Sequence, residues 1–198
     1  DALIPALTDR NREVRSLAAS ALDRLGWVAP HAEAQAVYLV AKEDWTACIE
    51  LGAPAVDALI SVLNDADFHI QGAASDALVH IGSPAVDALI NKLRDKNFKE
   101  QGEVRNILTR IGTPAVGQLS ALTQNKNIKS STRQAAADIL KQVDAARAVD
   151  ALIPMLTDQD GWGRKRAAEA LEQLGWVAPD VEARAAYLVA QKDWTACI

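Results

Sequence analysis

Polar side chains recur along this chain in pairs six residues apart, a hydrogen-bond acceptor followed by a donor. The pairs are Asp9 with Arg15, Asp65 with Gln71, Asp95 with Gln101, Asn127 with Arg133, and Asp158 with Arg164. One such pair alone could serve as a general acid and a general base. Five pairs in register instead predict a polar ladder, in which a turn accepts hydrogen bonds from a helix of its own or the adjacent unit. The two glutamines weaken this ladder in the middle of the chain.

A second candidate site is centred on Trp162, whose counterparts in the other units are polar. This tryptophan stands between Gly161 and Gly163 and is followed by the basic run 164–166. Tryptophan and arginine are enriched at binding hot spots, so Trp162 and Arg166 are candidate protein-binding residues. Packing of Trp162 against a following unit is the alternative, and the sequence leaves both open.

The outward positions of the repeated second helices form a third candidate site. Asp76 and Asn106 occupy one row, and Arg24, His80 and Arg110 occupy a neighbouring row that forms a basic spot. Second helices usually line the concave side of stacked helical hairpins, which is an extended binding surface in repeat proteins. These residues therefore predict a mixed, mildly acidic groove for a protein partner, and an ordinary solvated face is the alternative.

No catalytic constellation accompanies these residues. The three histidines have no nearby pattern of cysteine, serine or carboxylate residues that would form a triad or a metal site. Cys48 and Cys197 occupy equivalent places in two DWTACI segments. They predict two buried thiols in a reducing compartment, although a disulfide between them is also open. We therefore expect no cofactor, no metal and no enzymatic activity.

The elements that carry these residues repeat on two periods. GAPAVDALI begins at Gly52, GSPAVDALI at Gly82 and GTPAVGQLS at Gly112. Residues 1–49 return as residues 150–198, and most positions are identical. Self-similarity at about 30 residues predicts a solenoid.

Each short unit has the pattern of two helices. In residues 52–81, Pro54 suits a first helical turn, and apolar residues follow at helical spacing. After a polar turn, a second apolar stripe ends at Gly82, where a left-handed C-cap is expected. Gly72 and Gly102 lie inside second helices and predict close helix approach there.

Two units carry an aromatic extension. Its aromatic residues are Trp27, Tyr38 and Trp45 in the first copy, and Trp176, Tyr187 and Trp194 in the second. These side chains could form a cage for a ligand. Their recurrence in both copies favours a structural role, in which they pack the extra helices against the stack.

We expect one continuous domain over residues 1–198, because each unit can bury its apolar face only against its neighbours. The expected units are 1–26, 27–51 (extension), 52–81, 82–111, 112–143, 144–175 and 176–198 (extension). Both ends cut a repeat, which predicts a fragment of a longer array that can associate with itself through those ends.

Two segments carry a family resemblance: GAPAVDALISVLND from Gly52 and REVRSLAASALDRLG from Arg12. They resemble HEAT repeats, and more narrowly the HEAT-like repeats named from phycobilisome (PBS) lyases. The resemblance implies an all-α fold, a right-handed α-solenoid of stacked helical hairpins. It says little about activity, because a fold does not determine a function.

Composition limits the kind of partner. A duplex-DNA binder needs a basic stripe, so the formal net charge of −5 argues against that role, although a local basic patch stays open. No apolar run approaches the roughly 18 residues that span a bilayer, and no secretory signal is visible, so a cytoplasmic location without membrane contact is expected.

These observations predict a non-enzymatic protein–protein interaction scaffold that presents a concave helical groove. The resemblance implies one alternative, a bilin lyase or chaperone-like subunit that acts on a phycobiliprotein. A HEAT-like nucleic-acid-binding or base-repair protein is the other alternative, and the acidic charge balance argues against it.

Overall fold

The computed structural model of this chain describes residues 2–95 and 101–192. Within those ranges the secondary structure consists of α-helices and short 3-10 helices, without a strand. The prediction of an all-α fold is confirmed. The helices group into two compact units, one comprising Asp1–Lys92 and Lys96–Ile107, the other Leu93–Asp95 and Leu108–Ile198.

The first unit contains six complete helices among its described residues. They are α1 (Leu3–Ala6), α2 (Arg12–Arg24), α3 (Ala32–Ala41), α4 (Trp45–Leu51), α5 (Val56–Ser61) and α6 (Phe68–Ile81). Two further helices, α7 (Val86–Arg94) and α8 (Gln101–Ile111), have residues in both units. Helices α3 and α4 form the first aromatic extension.

The second unit contains five complete helices among its described residues. They are α9 (Val116–Gln124), α10 (Ser130–Val143), α11 (Ala145–Leu152), α12 (Gly161–Gln173) and α13 (Val181–Lys192). Helix α13 belongs to the second extension. The apolar core of this unit includes Leu152, Met155 and Leu171, all fully buried.

Each 30-residue repeat begins with a glycine and a 3-10 turn that contains the proline. Gly52, Gly82 and Gly112 have φ of 71°, 69° and 74° and ψ of −128°, −124° and −131°. The positive φ agrees with the expected cap at Gly82, but the strongly negative ψ lies outside the left-handed α region. Residues with a side chain rarely adopt this backbone conformation, which explains glycine at this place.

Close helix approach does not occur at the glycines that the sequence indicated. A Cβ atom added at Gly72 or Gly102 would meet no atom of the described residues within 4 Å, so the prediction is wrong for that part of the chain. At Gly163, by contrast, a Cβ atom would lie 2.3 Å from the Oγ atom of Ser130. Helix α12 therefore approaches the start of α10 at a place where a side chain would collide.

Both extensions begin with the same backbone cap. The N–H of Trp27 donates to the carbonyl of Leu22 at 3.0 Å, and the N–H of Gly26 donates to the carbonyl of Asp23 at 3.0 Å. Gly26 has a φ of 64°. These two bonds and the positive φ define a Schellman motif, which recurs in the second copy at Trp176. The cap ends the helix and turns the chain into the extension.

The aromatic rings of each extension pack on the helices that precede them. The ring centroids of Trp27 and Tyr38 are 5.4 Å apart, and those of Trp176 and Tyr187 are 5.9 Å apart. Each pair packs against a buried cluster of its own unit, which supports the structural role. Trp194 lies outside the described residues.

Candidate protein-binding surface

Trp162 lies in the first turn of α12 with half of its surface exposed. The carboxylate of Asp160 caps this helix and accepts a hydrogen bond from the backbone N–H of Trp162 at 3.1 Å. The side chain of Trp162 is 51% exposed. An indole that is fixed at its backbone and open to water can contact a partner with little loss of backbone entropy.

The side chain of Arg166 holds the indole in place. Its guanidinium carbon lies 5.2 Å from the centroid of the Trp162 ring, one helical turn away. The Nη2 atom of Arg166 lies 3.7 Å from the carboxylate of Asp138 on α10. Gln134 donates to the same carboxylate at 3.1 Å. Arg166 is therefore restrained from both sides, and the ring and the guanidinium form one surface, which we call the Trp162–Arg166 surface.

Polar pairs lie on the same two helices, α10 and α12. Lys165 is 3.3 Å from the carboxylate of Glu169, and Lys141 donates to the side-chain oxygen of Gln173 at 2.7 Å. Protein interfaces commonly combine a desolvated aromatic or arginine anchor with a polar rim. Helices α10 and α12 supply both kinds of residue.

The residues predicted to line the groove are all exposed. Asp76, Asn106, Arg24 and His80 lie in the first unit, and all four are exposed. The Nδ1 atom of His80 is 2.8 Å from the backbone oxygen of Asp76, so the ring turns back onto its own helix. Arg110 belongs to the second unit. The basic spot that would join it to Arg24 and His80 stays a prediction.

In the first unit, Arg15 links two successive hairpins. Its Nη1 atom donates to the backbone oxygen of Asp9 at 2.9 Å, and its Nη2 atom donates to the carboxylate of Asp65 at 2.5 Å. Both side chains of the ion pair are buried. Arg15 thus bonds the backbone of its own turn and the side chain of the next turn. Such a charge-assisted link aligns neighbouring hairpins.

Other members of the ladder repeat parts of this pattern. Arg133 donates to the carboxylate of Asp158, and Arg164 donates to the backbone oxygen of Asp158 at 2.6 Å. Gln71 donates to the backbone oxygen of Asp65 at 2.5 Å, so a glutamine keeps the bond to its own turn. Asp95 follows α7 and Gln101 begins α8; both make interactions within the described structure.

The turn before α10 differs from the predicted register. Here the side chain of Asn125 accepts a hydrogen bond from the N–H of Asn127 at 3.0 Å, as Asp65 accepts one two residues further on. Ser130, the start of α10, comes five positions after Asn125, whereas Phe68, the start of α6, comes three positions after Asp65. Asn125 rather than Asn127 takes the place of the turn aspartates, because this turn is two residues longer.

A cavity of about 440 Å³ lies in the first unit, beside α3 and α5. Its lining combines apolar residues, among them Leu7, Val37 and Val40, with the ion pair of Arg15 and Asp65. The charged groups already bond each other. The cavity therefore offers a ligand no unpaired charge from this ion pair.

Cys48 is fully buried and is a free thiol. Burial, with a smaller effect of the Asp44 carboxylate, raises the pKa of the Cys48 thiol to about 11. A thiol with this pKa is protonated and unreactive at neutral pH, so the buried-thiol prediction is confirmed for Cys48. Cys197 lies outside the described residues.

In residues 2–95 and 101–192, no three side chains of His, Cys, Asp or Glu lie close enough together to hold a metal ion. Over the same residues, no helix has the length and apolar character that crossing a membrane requires.

Residues 86–172 match the family model for HEAT repeats. The match begins with α7, ends within α12 and covers somewhat less than half of the chain; it includes Asp138, Trp162 and Arg166. This part of the chain is therefore similar to HEAT repeats, and the all-α fold of the described residues is consistent with a helical solenoid of that type. No curated protein matches the chain.

Proposed function

We propose that this chain is a non-enzymatic protein–protein interaction scaffold and that the Trp162–Arg166 surface contacts its partner. HEAT repeats generally mediate contacts between proteins, and repeat arrays present extended surfaces for this purpose. The observation that carries the proposal is the exposed indole, stacked with a guanidinium that a carboxylate on α10 restrains. Desolvation of such a pair is typical of binding hot spots.

The comparison with the first copy of the repeat supports this proposal. Trp162 and Arg166 occupy the places of Glu13 and Leu17, which are both exposed. Most features that recur in both copies have an architectural role, such as the caps and the packed ring pairs. A tryptophan and an arginine that replace unrelated residues on an exposed helix face are not needed for that architecture.

A more specific assignment to the phycobilisome-lyase repeats stays a prediction, as does the bilin-lyase role that it implies. Mixing the chain with a free bilin and recording the absorbance spectrum tests that role. A non-enzymatic function is supported by the cavity, whose buried ion pair is already satisfied.

A site-specific crosslinking experiment tests the scaffold proposal. A photoreactive phenylalanine analogue replaces Trp162, and in a matched control it replaces Phe68, an exposed aromatic residue at the start of α6. After illumination in a lysate of the source cells, we expect a discrete protein adduct at position 162. An excess of unlabelled wild-type chain should compete for this adduct.

The competing chain also distinguishes specific from general contact. Unlabelled Trp162→Ala and Arg166→Ala chains should compete at least about tenfold less well than Phe68→Ala, because truncating a hot-spot residue costs about 2 kcal/mol or more. Equal competition by all three variants, or identical adducts at positions 162 and 68, would contradict a partner site at Trp162.

A further inference from the structure

The guanidinium of Arg166 has a hydrogen-bonding capacity that the described part of the chain does not use. The side chain is 42% exposed, and its Nη2 atom lies 3.7 Å from the carboxylate of Asp138. This separation suits an ion pair but is longer than a hydrogen bond. Within residues 2–95 and 101–192, no hydrogen bond uses the N–H donors of this guanidinium. A planar fork of donors is therefore open to a partner.

This unused capacity determines what a partner must supply. A partner that contacts Trp162 also covers Arg166, because the ring and the guanidinium form one surface. If the partner brought only apolar groups, the charged donors would lose their water and stay unpaired, which costs much free energy. A carboxylate avoids this cost, because it balances the charge and can accept two parallel hydrogen bonds from the fork.

The charges around the surface favour a single carboxylate over a polyanion. The basic run 164–166 lies near the carboxylates of Asp138, Asp160 and Glu169. Because positive and negative charges alternate here, the surface has no strong positive field. A nucleic acid or a long acidic tract would therefore gain little, whereas one carboxylate gains short-range hydrogen bonds from Arg166.

The exposed part of the Trp162 indole selects the residue beside that carboxylate. Arg166 covers the ring from one side, and 51% of the Trp162 side chain is exposed. The uncovered part is mainly apolar, so its burial against an aliphatic or aromatic side chain is favourable. A matching segment therefore carries an apolar residue close to its Asp or Glu.

The helix face that carries this pair also stays open where a further hairpin follows. Glu13 and Leu17 are the equivalents of Trp162 and Arg166 in α2, and both are exposed, Leu17 by 70%. Helices α5 and α6 follow α2 in the same unit. A following hairpin therefore leaves this helix face accessible to a partner.

We propose that the Trp162–Arg166 surface binds a protein segment in which one Asp or Glu carboxylate pairs with Arg166 and a neighbouring apolar side chain packs on Trp162. This inference rests on the proposed function, because it names the chemistry of the partner at the same site. Asp138 restrains the guanidinium without filling its donors, so the donors stay available to the carboxylate of the partner.

A double-mutant cycle between the chain and a synthetic peptide tests this inference. Mass spectrometry of the adduct formed at position 162 identifies the crosslinked segment, and a fluorescein-labelled peptide that copies this segment is the probe. In a second peptide, the acidic residue nearest the crosslink is replaced by its amide, Glu by Gln or Asp by Asn. Fluorescence anisotropy measures the affinity of both peptides for the wild-type chain and for Arg166→Gln.

The wild-type chain should bind the acidic peptide at least about tenfold more tightly than the amide peptide, because the amide loses a charge-assisted bond. The Arg166→Gln chain should distinguish the two peptides by less than about twofold, because the carboxylate no longer has its partner. Arg166→Lys keeps the charge but not the fork, so it should retain only part of the preference.

The control is Arg147→Gln, which changes the net charge by the same amount. Arg147 is an exposed residue of α11 in the same unit. This variant should keep the full preference of the wild type for the acidic peptide. Circular dichroism of each variant should match the wild type, and Arg166→Met replaces Arg166→Gln if that chain does not fold.

The possible failures separate this inference from the proposed function. The absence of any adduct at position 162 would contradict both. An adduct whose segment has no Asp or Glu within about four residues of the crosslink, roughly 14 Å of extended chain, would contradict this inference alone. An equal loss of affinity on amide replacement in the wild-type and Arg166→Gln chains would do the same.

Discussion

The described parts of the two copies of the long repeat, residues 2–49 and 150–192, share their local structure. Both begin their extension with a Schellman motif, and in both a tryptophan ring packs against a tyrosine ring. The short-range contacts that produce these features involve residues that are identical or similar in both copies. Local sequence therefore determines the caps and the ring pairs, whichever unit contains them.

Burial in the first copy depends on the hairpin that follows it. Val40 is covered from the side of α5, whereas Val189 is exposed although its neighbours in sequence are alike. Arg15 shows the same dependence, since the carboxylate that it bonds belongs to the next hairpin. In a repeat array, each unit forms its secondary structure locally, whereas stability also depends on the contacts between neighbouring units.

The largest difference between the copies in the free energy of unfolding is expected when the equivalent residues Arg15 and Arg164 are replaced. Arg15→Ala leaves the buried carboxylate of Asp65 without its partner and should lower the free energy of unfolding by about 3–5 kcal/mol. Arg164 is half-buried and bonds backbone oxygens, so Arg164→Ala should cost about 1–2 kcal/mol. Urea unfolding measures both changes, with the exposed Arg10→Ala as control. Equal losses would mean that the two copies do not differ here.

Truncation of equivalent leucines should also lower the free energy of unfolding more in the first copy than in the second. Leu39→Ala removes a buried side chain and should cost about 2–4 kcal/mol. Leu188→Ala removes a half-exposed one and should cost less than about 1 kcal/mol. Both are measured by urea unfolding. A Leu188→Ala loss as large as that of Leu39→Ala would show that α13 is covered.

Substituting two glycines by alanine distinguishes the effect of helix propensity on stability from the effect of helix packing. Gly72→Ala in α6 adds a methyl group where nothing lies within 4 Å, and should raise the free energy of unfolding by up to about 1 kcal/mol. Gly163→Ala in α12 meets the Ser130 hydroxyl and should give no gain or a loss. Thermal unfolding of both variants checks this. Equal stabilisation would show that α10 and α12 separate easily at this contact.

The smallest expected effect is a change in the pKa of Asp23 when Tyr38 is replaced. The hydrogen bond from Tyr38, followed by that from Lys42, lowers the pKa of Asp23. Its contribution to stability is therefore present above the unfolded-state pKa and is lost as the pH falls through the lower folded-state value. Tyr38→Phe should raise the pKa of Asp23 toward its ordinary value, as followed by NMR titration of that carboxyl group. Tyr187→Phe should leave it unchanged.

The sequence predicted the class of fold and most boundaries because both depend on local patterns. Proline after a glycine predicted the start of each short unit, where the structure has the 3-10 turns. The donors and acceptors of the ladder were also identifiable, because they recur at a fixed spacing. The sequence did not show which oxygen each donor reaches, since backbone and carboxylate oxygens of one aspartate lie close together.

The remaining differences depend on chain length and on neighbouring helices. The two extra residues before α10 put Asn125 instead of Asn127 in the place of the turn aspartates, which a constant spacing of six residues could not show. Gly72 and Gly163 are both helical glycines, and the sequence does not distinguish them. Among the described residues, a Cβ atom at Gly163 would collide with the Oγ atom of Ser130, whereas one at Gly72 would meet no atom within 4 Å. Likewise, the restraint of Arg166 by Asp138 joins residues of α10 and α12 that are 28 positions apart in sequence.

The reactivity of the buried Cys48 thiol can report how often the helices of the first extension separate. A protonated thiol with no exposed surface reacts with an aromatic disulfide reagent only after the surrounding helices have separated. In a Cys197→Ser chain, the labelling rate at a given pH therefore measures how often α4 opens. Comparing this rate with global unfolding would show whether the extension opens alone or together with the rest of the first unit.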